Sequence, residues 1–287
     1  MLSPAKSLTR LGAVSLALLT AACVRVEYFL ANAPTVFGSY DRRVDLKYGT
    51  DARQRLDVYA PRHAASRPVV IFWYGGSWLA GSKSNYRFVG AALAQRGFVT
   101  VLPDYRLYPA VKYPLFLEDG ARAVAWVEQH AAELGGDPRH IVLMGHSAGA
   151  HMAAYLAFNR AFLAKAGGDP AAIKGLVGLS GPYALDPNSA ILHKIFAAPY
   201  SNADWQPVRY VDDHSPPALL FHGTQDSIVE VAHTERLRDV MRSHHVPVDA
   251  EILNGRRHAD TVAGFALGVR GRVLEKTVEF VGRVAGG

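Results

Sequence analysis

The strongest chemical signal in the sequence is Gly145-His-Ser-Ala-Gly149. A continuous apolar run, 140–144, precedes it and an Ala-rich helical run, 147–159, follows. In that setting the serine sits on a tight strand-to-helix turn that lifts its hydroxyl above the sheet, and the two glycines permit the close packing such a turn needs. A serine hydroxyl is a poor nucleophile until a base takes its proton. The base is usually a histidine, whose tautomer a carboxylate fixes. With this kind of turn the chain order is serine, acid, histidine. The acid position fits Asp226, which closes Phe221-His-Gly-Thr-Gln-Asp226 just after a strand-like run. The base position fits His258, on the loop Asn254-Gly-Arg-Arg-His258 after the alternating run 248–253. The competing reading of Asp226 is a cap for a helix starting near Val229. Asp212 and Asp213 precede the strand and fit less well. Of the other histidines, His244 and His245 end a helix, and His222 lies within the strand end as a structural residue.

Acyl transfer by such a serine also needs hydrogen-bond donors for the developing oxyanion, each worth about 10²–10³ in rate. One is the amide of the residue after the nucleophile, Ala148. The others come from a glycine-rich loop after an earlier strand. Trp73-Tyr-Gly-Gly-Ser-Trp78 provides that loop, with Gly75 and Gly76 as the donors; the plain alternative is an ordinary Gly-Gly turn.

These loops need a frame. Strand-like runs fall at 44–48, 56–59, 68–73, 98–102, 140–144, 176–179, 218–222 and 248–253. Helical spacing falls at 86–95, 117–133, 147–159, 229–242 and 271–284. Strands separated by helices imply right-handed crossovers and a mainly parallel sheet. The expectation is one α/β domain over 44–287, with about eight strands flanked by helices. Residues 182–214 break the rhythm and are expected to form a small inserted cap over the ligand-binding end of the sheet. Tyr74, Trp78, Tyr183, Phe196, Tyr200 and Trp205 are candidates for lining the substrate pocket, although aromatic residues are as often plain core.

The N-terminus reads differently. Lys6 and Arg10 precede a nine-residue apolar run, 11–19, too short to span a bilayer, which takes about 20 residues. A basic start, a short apolar stretch and small residues after it make a secretory signal over 1–22. Leu19-Thr-Ala-Ala-Cys23 resembles the lipobox of bacterial lipoproteins, in which the cysteine is acylated; Thr20 stands where that pattern has an aliphatic residue. Cys23 is the single cysteine, which leaves no intramolecular disulfide. The expectation is an exported, periplasmic protein anchored to a membrane through Cys23, with a tether over 23–43. A soluble periplasmic or secreted chain is the alternative. The formal net charge is +6, with Lys and Arg scattered rather than clustered, so no nucleic-acid groove is expected. Metal-ligand spacings, dinucleotide fingerprints and phosphate-loop glycine patterns are all missing, and no cofactor is expected.

Tyr74-Gly-Gly-Ser-Trp78, Asp104-Tyr-Arg-Leu107, Gly145-His-Ser-Ala-Gly149, His222-Gly…Asp226 and His258 together resemble the hormone-sensitive-lipase-like esterases and their BD-FAE-type relatives. The resemblance runs over residues 40 to 284. It implies an α/β-hydrolase fold and carboxylic ester hydrolysis without a cofactor. It also implies that Asp104, Tyr105 and Arg106 buttress the glycine loop. The family motif usually opens with His, and Tyr74 replaces it here. Short-chain or small aromatic esters are the expected substrates. The alternatives are an amide-cleaving relative, such as an arylformamidase or peptidase, and a non-catalytic binding protein on the same fold.

Overall fold

The computed structural model describes residues 30–33, 35, 38–186, 188–266 and 271–286. The expected signal over 1–22 and Cys23 lie outside the described residues. Eight strands form one sheet: β1 Tyr40–Lys47, β2 Arg55–Pro61, β3 Arg67–Trp73, β4 Val99–Pro103, β5 Gly136–His146, β6 Ile173–Leu179, β7 Ala218–Gly223 and β8 Val248–Leu253. Their order is β1-β2-β4-β3-β5-β6-β7-β8. The two pairings made by β2 are antiparallel and the others are parallel. Parallel strands are covered on both faces and therefore carry unbroken apolar runs. Val69 to Trp73 and Ile141 to Met144 are accordingly fully buried. Edge strand β1, rich in charge, is mostly exposed and carries a bulge between Arg43 and Leu46, features that discourage edge-to-edge pairing.

The principal flanking helices are α1 Arg87–Ala94, α2 Leu115–His130, α3 Ala148–Phe158, α4 Arg160–Lys165, α5 Ala190–Ile195, α6 Ala232–Ser243, α7 Asp260–Ala263 and α8 Arg272–Ala285. α6 begins three residues later than its apolar spacing suggests. The amides of Ile228 and Val229 are engaged by the Asp226 carboxylate instead of opening the helix. α4, α5 and α7 are too short for helical periodicity to reveal them.

One expected boundary is corrected by the packing. The tether was expected to run to residue 43, yet β1 begins at Tyr40, and Ala31 and Asn32 already pack against the domain. The described part of the insert 182–214 lies between β6 and β7 and packs closely on the domain, its Ile195 carbonyl accepting from the Tyr113 amide and its Trp205 carbonyl from His151 Nε2. Tyr183, Phe196, Trp205, Val208 and Val211 are buried in the core. Among the described residues no helix is long and apolar enough to cross a membrane.

Candidate active site

Four loops at the carboxyl ends of β3, β5, β7 and β8 carry the residues singled out above. Ser147 has φ 54° and ψ −124°, a conformation rare outside glycine and costing about 1–3 kcal/mol unless its surroundings impose it. Here they do. A Cβ on Gly145 would lie 2.2 Å from Gly149 O, and one on Gly149 would lie 2.1 Å from Trp73 O. Only hydrogen fits at either position, so the turn closes tightly against β3. The Ser147 amide donates to Leu179 O at 2.9 Å, tying the turn to β6.

The Asp226 carboxylate is shut off from solvent. Its Oδ1 accepts from the amides of Ile228 and Val229, both at 2.9 Å, and its Oδ2 accepts from His258 Nδ1 at 2.7 Å. Burial alone would raise this carboxyl. The Val229 amide, the His258 ring and the Ile228 amide more than offset it and hold the group below the usual aspartate range, so it stays ionised. Behind it, buried His222 donates from Nε2 to Val229 O at 2.8 Å, with Asp226 Oδ2 3.2 Å from the same nitrogen. Its Nδ1 accepts from Thr234 Oγ1 at 2.7 Å. His222 is thus a neutral strut for the acid, held neutral first by its burial. It fills the structural role expected of it.

His146, the residue before the nucleophile, supplies a second strut that sequence reasoning missed. Its Nε2 donates to the backbone carbonyl of His258 at 3.1 Å, and the two rings lie 4.8 Å apart. Burial, with His258 alongside, pushes the His146 imidazole down to about 3, so no second charge competes with an imidazolium on His258. With Asp226 on Nδ1–H, the Nε2 of His258 is left as the basic nitrogen.

Gly75 approaches the nucleophile closely: a Cβ there would fall 2.8 Å from Ser147 Cβ. Gly76 has φ +126°, and a Cβ would fall 2.1 Å from Ala80 O. Ala148 opens α3, where first-turn amides have no intrahelical acceptor. Gly75 and Gly76 thus share the cavity with Ser147, and Ala148 follows it directly in the chain. The loop is held by a residue not singled out from the sequence. Arg53 donates to the Tyr74 hydroxyl at 2.7 Å, to Tyr105 O at 2.8 Å and to Gly81 O at 3.0 Å. The Tyr105 hydroxyl donates to Tyr74 O at 3.0 Å, and the two rings stack at 4.7 Å. Asp104 accepts from the Lys83 amide at 2.8 Å. Arg106 instead grips Asp119, through Nε at 2.8 Å and Nη2 at 2.7 Å. Tyr105 and Asp104 thus brace the glycine loop and its continuation, whereas Arg106 braces the neighbouring turn.

Ser147, His146, His258, Gly75 and Gly76 line one cavity of about 450 Å³, within the usual size for small-molecule sites. It is also lined by Ser77, Ala80 and Gly81 of the glycine-rich loop, by Ala31, Asn85, Tyr86 and Phe88, and by Ile228, Ala259, Val262, Ala263 and Ala266. None of the six aromatic candidates is among the lining residues. Trp78, Phe196 and Trp205 pack on one another and on His151 instead. Tyr183 is wholly buried, Tyr74 is turned toward Arg53, and the exposed Tyr200 meets Tyr113 edge to face. Apart from Tyr86 and Phe88, the apolar lining of this cavity comes from small and aliphatic residues. The spacing Ala259, Val262, Ala263, Ala266 was the available signal, an apolar stripe directly after the base.

The BD-FAE family model matches residues 56–241. A probable isoprenylcysteine alpha-carbonyl methylesterase of Oryza sativa subsp. japonica is 32% identical over 259 residues, covering 82% of this chain and 61% of that protein. Esterase LipC of Mycobacterium tuberculosis is 29% identical over 262 residues, covering 79% and 64%. The chain thus spans under two thirds of the length of these relatives. Among solved structures, an inhibited esterase B from Lactobacillus rhamnosis superposes with TM-score 0.79 at 19% identity, covering 96% of each chain. The sheet order and this superposition make the fold an α/β-hydrolase fold.

Proposed function

This chain belongs to the BD-FAE family, and on that premise we propose that it is a carboxylic ester hydrolase using Ser147, His258 and Asp226. The observation that carries the reading is the 2.7 Å bond from His258 Nδ1 to a buried Asp226, with His258 and Ser147 facing one cavity. His258 Nε2 removes the Ser147 proton as Oγ attacks the ester carbonyl. The amides of Gly75, Gly76 and Ala148 receive the oxyanion. His258 returns the proton to the leaving alcohol and then activates water, which releases the acid and restores the serine. The methylesterase and esterase names among the relatives favour esters over amides. The largely apolar walls and modest volume favour small or short-chain esters. An exported chain acylated at Cys23 completes the reading, supported by the order of basic, apolar and small residues before it.

The test is hydrolysis of p-nitrophenyl acetate, butyrate and octanoate by a protein starting after Cys23, beside its Ser147→Ala variant. Activity in the parent and background rates in the variant are expected. A folded parent no better than the variant on every ester would overturn the assignment. Loss of membrane partitioning and of fatty-acid labelling in Cys23→Ser tests the anchor.

A further inference from the structure

One wall of the cavity is not supplied by the catalytic loops. Ala31 lines it beside Asn85, Tyr86 and Phe88, and it belongs to the stretch ahead of β1. Its neighbour fixes it there. Asn32 Nδ2 donates to Ser84 O at 3.2 Å and to Asn85 O at 3.0 Å, while its Oδ1 accepts from the Phe88 amide at 3.0 Å. Phe88 is the second residue of α1, whose N-cap residue Tyr86 makes no side-chain capping bond. Its amide is one of the donors that a helix start leaves without an intrahelical partner. Asn32 therefore caps α1 from 56 residues away in sequence. The stretch is tied at its other end as well. Thr35 Oγ1 donates to Asn32 O at 2.7 Å, and the Tyr40 hydroxyl at the start of β1 donates to Thr35 O.

We propose that Ala31 forms a specificity-determining wall of the substrate site, in which Asn32 staples it down and the small side chain of Ala31 leaves room for the apolar arm of the ester. The inference rests on the ester-hydrolase reading above. Alanine is the smallest apolar side chain that can line such a wall, so any larger one at position 31 enters the cavity. An ester gains by burying methylenes against an apolar wall, and an acyl group too short to reach it gains nothing. The wall should therefore act on the ratio between long and short esters and leave the chemistry at Ser147 alone. The hydrogen bonds of Asn32 go to the backbone at the start of α1 and none goes to Asp226 or His258, so it can be altered without removing a bond from either.

The experiment measures kcat/KM on p-nitrophenyl acetate, butyrate and octanoate for the full chain in detergent and for its Ala31→Trp and Asn32→Ala variants. Ala31→Trp is expected to lower the octanoate-to-acetate ratio about tenfold or more, the effect of one or two misfitted methylenes in an apolar pocket. Asn32→Ala, which unpins the wall, takes that apolar contact from the long ester alone and is expected to lower the ratio about threefold. Parental ratios in either variant, or an equal fall on all three esters, would overturn the proposal while leaving the esterase reading intact. A parent indistinguishable from Ser147→Ala on every ester removes that reading, and the inference falls with it.

Discussion

Asp226→Asn isolates what the acid contributes. The carboxylate receives donors on both oxygens: two amides on Oδ1, the His258 ring on Oδ2, and His222 Nε2 at 3.2 Å from Oδ2. An asparagine amide has a single acceptor end. If its oxygen keeps the amides of Ile228 and Val229, its NH₂ meets the Nδ1 of His258, and that ring must turn over to the tautomer protonated on Nε2. If the oxygen keeps His258, the NH₂ points at two backbone N–H groups in a site closed to solvent. The first arrangement costs less, because only a proton moves. It leaves Nε2 protonated and useless as a base toward Ser147. A wrong-tautomer triad of this kind loses about 10⁴ in kcat, or about 5 kcal/mol of transition-state stabilisation. The assay is kcat on p-nitrophenyl butyrate, with near-UV circular dichroism to establish that the fold is kept. A folded Asp226→Asn variant within tenfold of the parent would refute the role of Asp226 in holding His258.

Other perturbations address the remaining parts. Gly75→Ala places a Cβ 2.8 Å from Ser147 Cβ and 3.1 Å from His146 Nδ1; kcat/KM should fall about 10²-fold or more while Tm moves by only a few degrees, and an unchanged rate would remove Gly75 from the oxyanion site. Arg53→Lys loses the planar fork that holds Tyr74 and the carbonyls of Tyr105 and Gly81; kcat should drop about tenfold at nearly constant KM, and a rise in KM alone would contradict a loop-holding role. Glu128 is pushed up to about 7 by burial, so its contribution to stability is complete below its ordinary value and is lost as pH rises through about 7. Glu128→Gln should therefore raise stability at pH 8 by on the order of 1 kcal/mol, screening by solvent included, with no gain at pH 4; a pH-independent gain would show that ionisation is not the cause.

Much of the frame was legible because its signals are local. Buried parallel strands leave unbroken apolar runs, and Gly145, Ser147 and Gly149 between such a run and a helix can hardly mean anything but a tight turn. Asp226 and His258 followed from chain order and from their places after strands. The pocket was not legible in the same way. Aromatic identity does not say which side of a sheet a ring will fill, and the rings of Trp78, Phe196 and Trp205 went to the interior with His151. The apolar spacing from Ala259 to Ala266 marks one side of the cavity, but nothing in the sequence brings Ala31 to it. Arg53 and Asn32 escaped notice for a related reason. Each acts on backbone groups brought near by tertiary folding, a partnership no spacing encodes.

The strand order has a consequence for how activity is gained and lost. Ser147 hangs from β5, inside the sheet, while His258 follows β8, at its edge, with β6 and β7 between them. On the proposed triad, a chain that has assembled only its earlier strands holds a nucleophile and an oxyanion loop but no base, and is chemically silent. Activity therefore reports closure of the β7–β8 pairing, and in refolding it should return no sooner than that edge docks. The same geometry works in reverse on heating. An edge strand and its loop open more readily than the buried centre, so hydrolysis should fail at temperatures where the core still gives a native spectrum.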